Sequence, residues 1–259
     1  MLLQSLIIVF TAIARPTLAA CNLSYEALQQ VTRDYISSQA TGAFATTASS
    51  ASYTENFRTV NIRTGLLSKA LRVNHTRSIH DTTECATFTE YVVTDPSHPY
   101  VIGTQIRLTP DGQITQIDSI VTDAGDWLFN ATGTQYYASR EDWFVIPAET
   151  RDTRATIRAA GDAYLDLFNN PSVVVPWGTP CARLEGGAYT GQGRPTDSCN
   201  VGVPSGVPLT NRRYVIDERV GSVDVFLDFG NNQIPDTHEF RVERGRLRFV
   251  HTMTATGGA

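Results

Sequence analysis

Residues 212–254, RRYVIDERVGSVDVFLDFGNNQIPDTHEFRVERGRLRFVHTMT, repeat one pattern four times. Each run alternates apolar and polar side chains at the period of a half-buried strand, and a turn follows each of the first three. Val223, Val225, Leu227 and Phe229 alternate with Asp224, Phe226 and Asp228. Asn231-Asn232 and Arg244-Gly245 supply turns. On the last run Leu247, Phe249, His251 and Met253 are expected to share one face, because side chains alternate across a strand. A chain ending this way builds an antiparallel sheet with a histidine in the middle of an apolar face.

The other end of the chain speaks to compartment. Residues 1–20 carry the apolar run LLQSLIIVFTAIA followed by TLAA, which reads as a secretory signal peptide. Leu18-Ala19-Ala20-Cys21 also fits a lipoprotein box, an alternative that stays open. Asn22, Asn74 and Asn130 each begin a glycosylation sequon, and the four cysteines suit an oxidising compartment. Cys181 and Cys199 bracket a Gly/Pro-rich stretch and are expected to pair, leaving Cys21 with Cys85, although three connectivities are formally open. The expected localisation is the secretory pathway, with no membrane span in the mature chain. A net charge of -5 argues against a nucleic-acid partner. Lys69 is the sole lysine, which disfavours Schiff-base chemistry.

In chain order the pattern occurs twice. Residues 25–39 have the spacing of an amphipathic helix that Ser24 can cap, and residues 153–169 form a second such helix ended by Pro171. Residues 40–57 read as a loop or lid, 56–72 are ambiguous, and 87–93, 100–108 and 113–122 read as strands. Residues 176–208 lack periodicity and read as one long loop. Aligning Gly112-Gln113-Ile114 with Gly245-Arg246-Leu247 places Asp118 on His251 and Ile120 on Met253. The expected division is a first half at 21–150 and a second at 151–259.

A helix followed by a sheet ending in His251-Thr252-x-Thr254 resembles the SnoaL-like (nuclear-transport-factor-like) cone fold. The second half resembles a family of secreted fungal proteins with a domain of unknown function. The residues that carry this are 175–181 (VPWGTPC), 183–187 (RLEGG), 212–218 (RRYVIDE), 235–243 (PDTHEFRVE) and 250–252 (VHT). The resemblance implies an α+β chain of tandem SnoaL-like cones, each a curved antiparallel sheet with helices on its concave side. It also implies kinship with fungal hetero-Diels–Alderases of tropolone sesquiterpenoid biosynthesis.

The candidate residues carry paired readings. His251 is a general acid/base in the cone, or a core histidine held by a carboxylate. Asp217 and Glu218 point to opposite faces, so one can reach a pocket, or Asp217 pairs with Arg213 or Arg241. Trp177 and Tyr189 form an aromatic lid over a ligand, or Trp177 anchors its loop. Tyr164, Arg241, Phe249 and Met253 complete the expected substrate-binding set. His238 and Glu239 are expected at the surface. No nucleophile elbow, dinucleotide fingerprint, P-loop or zinc spacing is present, so neither a metal nor a cofactor is expected.

The expected function is a secreted cofactor-free cyclase of secondary metabolism, of the hetero-Diels–Alder type, joining a tropolone quinone-methide to a terpene. The alternative is a non-catalytic secreted small-molecule binding protein, or a SnoaL-like dehydratase or isomerase. The expected partner is a small hydrophobic substrate, with a homodimer left open.

Overall fold

The computed structural model describes residues 20–257; the predicted signal segment lies outside them up to residue 19. The first half contains α1 (Tyr25–Gln39), α2 (Phe44–Thr47), β1 (Ser52–Glu55), β2 (Arg58–Thr59), β3 (His75–Asp81), β4 (Ala86–Val93), β5 (Tyr100–Leu108) and β6 (Ile114–Thr122). A connector carrying α3 (Ala131–Ala138) leads to the second half. There follow α4 (Arg154–Leu167), β7 (Trp177–Glu185), β8 (Ala188–Tyr189), β9 (Leu209–Asp217), β10 (Ser222–Phe229), β11 (Ile234–Glu243) and β12 (Arg246–Thr254). Ser24 and Thr153 cap the two long helices, their hydroxyls accepting from Ala27 N and Thr156 N.

Each half builds one six-stranded sheet, in the orders β2-β1-β6-β5-β4-β3 and β8-β7-β12-β11-β10-β9. The orders are the same plan twice. Both sheets are mixed rather than antiparallel, because β1 runs parallel to β6 and β7 parallel to β12. Those parallel strands correct the two predicted loops. Residues 40–57 include α2 and β1, with Phe44 and Tyr53 in the core, and the 176–208 stretch opens with β7 and β8. Gly178 and Pro180 hide the strand period in β7, and its pairing with β12 is a long-range contact that no local pattern reports.

The repeat extends to the irregularities. A β-bulge interrupts β5–β6 between Arg107 and Leu108, and another interrupts β11–β12 between Arg241 and Val242. Counting from these bulges, Asp118 matches His251 and Ile120 matches Met253, the register expected above. The second bulge also explains one departure. Leu247 packs on the α4 side with Val250, whereas Met253 faces the other sheet, so the four residues do not share a face.

Helices cover the outer faces and the inner faces pack on each other. Ile157, Tyr164 and Leu165 of α4 meet Val223, Val225 and Phe240, and Leu28 and Tyr35 of α1 meet Ile106 and Ile117. Between the sheets lie Phe88, Ile120, Val215, Phe226 and Met253, with the Phe88 and Phe226 rings edge-to-face at 6.2 Å. Burying each such side chain contributes about 1.5–3 kcal/mol. Disulfides Cys21–Cys85 and Cys181–Cys199 close separations of 64 and 18 residues. No helix among the described residues is long and apolar enough to cross a membrane.

Candidate functional site

The chemistry-bearing face of the second sheet is the one beneath α4. On β11, Asp236 and His238 lie on that face two residues apart, opposite Thr254 and Thr252 of β12. Gly161 lets α4 approach closely, since a Cβ there would stand 3.1 Å from the Phe240 ring. One turn further on, the Tyr164 ring reaches 5.7 Å from the His238 ring. Arg183 arrives from β7, donating from Nη1 to Tyr164 Oη (3.3 Å) and pairing through Nη2 with Glu185 Oε2 (3.0 Å).

These groups meet at a cavity of about 570 Å³, within the range of small-molecule sites. Its walls are largely apolar, including Phe168, Val207, Phe229 and Ile234. Trp127, from the connector between the halves, stands at its edge 53% exposed and donates its indole N–H to Glu185 Oε1 (2.8 Å).

The electrostatics are those of a dry site. Burial, aided by the positive charges of Arg183 and Arg212, pushes the His238 imidazolium down to about 3. Burial also holds the Asp236 carboxyl well above the usual range. Their Nδ1 and Oδ2 atoms lie 3.5 Å apart, at ion-pair distance, yet burial shifts each toward its neutral form: a base beside an acid. Tyr164 is pushed up to about 12 by burial, so it keeps its proton, and its oxygen accepts from Arg183. His238 Nδ1, Asp236 Oδ2, Arg183 Nε and Thr252 Oγ1 are buried with no hydrogen-bond partner among the described residues. Unpaired buried polar atoms are costly; three of these belong to residues that line the cavity, with Asp236 behind His238, and they mark a place where a ligand completes the bonding.

The first half shows the same position closed. Counting from the N-caps, Tyr35 matches Tyr164; counting from the bulges, Thr104 matches His238, Ser119 matches Thr252, and Ile102 matches Asp236. There Tyr35 Oη lies 3.0 Å from Thr104 Oγ1, which lies 2.9 Å from Ser119 Oγ, a satisfied trio of hydroxyls. Phe44 and Tyr91 pack against Tyr35.

Of the sequence-predicted residues, Tyr164 lines the cavity and the others lie elsewhere. His251 sits at the seam between the sheets, its Nδ1 2.8 Å from Glu90 and its Nε2 2.7 Å from Glu141. Burial alone would depress its pKa, but Glu141 and Glu90 outweigh burial and lift it to about 10. It is an imidazolium donating to two carboxylates, so Arg77 Nη2, 3.1 Å from the same Nδ1, packs beside it without a hydrogen bond. Arg77 instead donates to Glu239 and stacks on Trp143. Burial would raise Glu90, yet His251 and Arg77 bring it down to about 2. His238 and Glu239, expected at the surface, are both buried, one in the cavity wall and one in this cluster.

Asp217 pairs with neither Arg213 nor Arg241. It accepts from Tyr25 Oη (2.8 Å) and from the backbone N–H groups of His80 and Arg219. Glu218 is exposed and accepts from Arg154 N. Arg241 is fully buried and bonds Glu243 and the carbonyls of Phe144 and Val220. Phe249 stacks on Trp143, Met253 joins the seam, Trp177 packs edge-on against Tyr164, and Tyr189 stacks on Tyr137. Asn22, Asn74 and Asn130 are exposed, and Asn130 also caps α3 by accepting from Gly133 N.

Sequence reasoning placed His238 at the surface and gave no role to Asp236, Arg183 or Trp127. The signal for the first two was present: Pro235-Asp236-Thr237-His238 puts two ionisable groups on one face of a strand whose Phe240 is core.

Comparison with known proteins adds one match. No curated protein matches the chain. Residues 150–254, which hold α4 and all six strands around the cavity, are similar to the family described as Domain of unknown function (DUF8021).

Proposed function

We propose that the second half is a cofactor-independent acid–base site for a small, mostly apolar molecule, with His238 as base and Asp236 as acid. The observation that carries this is the set of three buried, unpartnered polar atoms, on His238, Arg183 and Thr252, in the wall of a largely apolar cavity, with Asp236 3.5 Å behind His238. Tyr164 and Arg183 would bind the oxygen on which negative charge develops, His238 would take a proton, and Asp236 would return one. Holding the reacting parts together in a dry space supplies the remainder. Dehydration and isomerisation use this set directly, and a cycloaddition uses it to form its reactive partner by loss of water. We assign cyclisation of a terpenoid or polyketide skeleton, including the hetero-Diels–Alder reaction of a tropolone quinone-methide, on the sequence resemblance.

We also read each half as a SnoaL-like cone. The long helix against a sheet of the same strand order in both halves supports that reading, and the filled first cone leaves the second as the working one. Two disulfides and the sequons support secretion.

The test is turnover and binding of terpenoid and tropolone-type substrates by the secreted protein, wild type against His238→Ala, with products identified by mass spectrometry. Acceleration by the wild type that falls at least 100-fold in the variant supports the site. Binding without conversion by either protein would make the chain a carrier, and full activity in the variant would move the chemistry elsewhere.

A further inference from the structure

A second concave surface lies at the β11–β12 hairpin, away from the His238 cavity, with a volume of about 660 Å³. One wall is apolar, formed by Phe144, Ile146 and Pro147 of the segment before α4 together with Leu247 and Pro180. Phe144 is 46% exposed, although a large aromatic side chain is normally covered. The other wall carries Arg244, Arg246 and Arg248.

The charge there is uncompensated. Glu243 is the one carboxylate among the lining residues, and its Oε1 is taken by Arg241 Nε at 3.0 Å. Arg246 reaches only a carbonyl, Trp177 O at 3.3 Å, and Arg248 lies over the Phe249 ring at 4.0 Å. Among the described residues neither Arg244 nor Arg248 forms an ion pair. The fold holds them there. Arg244 occupies the hairpin turn at φ 53°, and Arg248 is the extra residue of the β-bulge, where the break in pairing re-aims a side chain. A chain with a net charge of -5 thus gathers three arginines beside one apolar wall.

We propose that this groove binds a small amphipathic anion, its carboxylate or sulfate on the arginines and its hydrocarbon part against Phe144, Pro147 and Pro180. Volume, the split into apolar and cationic walls, and the absence of internal counter-charges fit that class; a neutral ligand would leave the arginines unused. The site is independent of the acid–base chemistry assigned to His238.

The test is calorimetric titration of the secreted protein with decanoate below its micellar range and with methyl decanoate, its neutral counterpart. Decanoate is expected to bind at least tenfold more tightly than the ester and to weaken as salt is raised. Arg244→Glu combined with Arg248→Glu is expected to weaken decanoate about tenfold or more, through loss of two cations and reversal of their charge, while the ester is unaffected. Arg244 is exposed and Arg248 half-buried, and an unchanged melting temperature would certify the fold. Equal affinity for acid and ester, no binding of either, or decanoate binding that survives the double variant would overturn the proposal. Loss of decanoate binding in His238→Ala but not in the arginine variant would place the anion in the other cavity.

Discussion

Asp81 and Asp217 close the same position in the two halves, and each accepts a backbone N–H from the residue preceding the other. His80 N donates to Asp217 and Ile216 N donates to Asp81, both at 2.9 Å. Each carboxylate also takes two N–H groups of its own turn, Thr83 and Glu84 for Asp81, Arg219 and Val220 for Asp217. The first residue of each long helix completes the set: Arg154 on Asp81 and Tyr25 on Asp217. The pair fastens the edge strands β3 and β9, one from each sheet, to each other.

Replacing either acid by alanine strands several buried N–H groups at once. Asp217→Ala is therefore expected to cost about 2–4 kcal/mol in denaturant unfolding, with Asp81→Ala similar. Glu218→Gln, next door and exposed, should stay within about 0.5 kcal/mol. An Asp217→Ala protein as stable as wild type would show that the reciprocal arrangement contributes nothing.

The fold was legible where structure is local, and the site was not. The amphipathic spacing of Leu28, Val31 and Tyr35 reports which face of the helix is buried, and the alternation of Val223, Val225 and Leu227 marks the face that packs under α4, although both faces of β10 are covered. The duplication was visible through Gly112 and Gly245, because both mark tight turns before the final strand. β1 and β7 were hidden, since a strand that pairs in parallel is specified by its distant partner. His251 drew attention as a polar residue on an apolar face, but that pattern is shared by a catalytic base and by an imidazolium clamped between Glu90 and Glu141. Those partners lie 161 and 110 residues away in sequence, so only the folded chain separates the readings. His238 was overlooked because the bland reading of a turn-proximal histidine is a solvated one.

The seam cluster predicts a structural role for His251. His251→Gln leaves Glu141 buried without its cation and Glu90 with Arg77 alone, a loss of about 3–5 kcal/mol, while the cavity under α4 keeps its ligand affinity. The pH dependence has a fixed sign. The folded pKa, about 10, lies above the unfolded value near 6.5. The stabilisation is therefore complete below about 6.5 and is lost as pH rises through 10. The gap between wild-type and His251→Gln stabilities should shrink across that interval. A constant gap would contradict the ionised cluster.

The Cys181–Cys199 bridge ties β7, which carries Arg183, to the loop that supplies Gly202, Pro204 and Val207 to the cavity. Opening it in a Cys181→Ser/Cys199→Ser protein should cost about 3 kcal/mol through the 18-residue closure. Ligand affinity should fall as well, because the freed loop must be ordered at each binding event. Thermal unfolding and ligand titration on the same sample separate the two effects. Lower stability with unchanged affinity would mean that the loop is held without the bridge.

His238 supplies the sharpest check on the proposed chemistry, because a dry neutral base behaves unlike any solvated histidine. Burial and the nearby cations keep its ring unprotonated down to about 3, so its NMR ring signals should stay fixed from pH 8 to pH 5, where an unperturbed histidine moves near 6.5. The unfolded chain accepts a proton below about 6.5 that the folded site refuses. His238 therefore withdraws stability as pH falls from there toward 3, and His238→Asn should flatten that limb. The same neutrality predicts turnover without an acid inflection at 6.5. A ring that titrates near 6.5 would mean that water fills the cavity, and the Asp236–His238 pair would then lack the desolvation on which its division into acid and base depends.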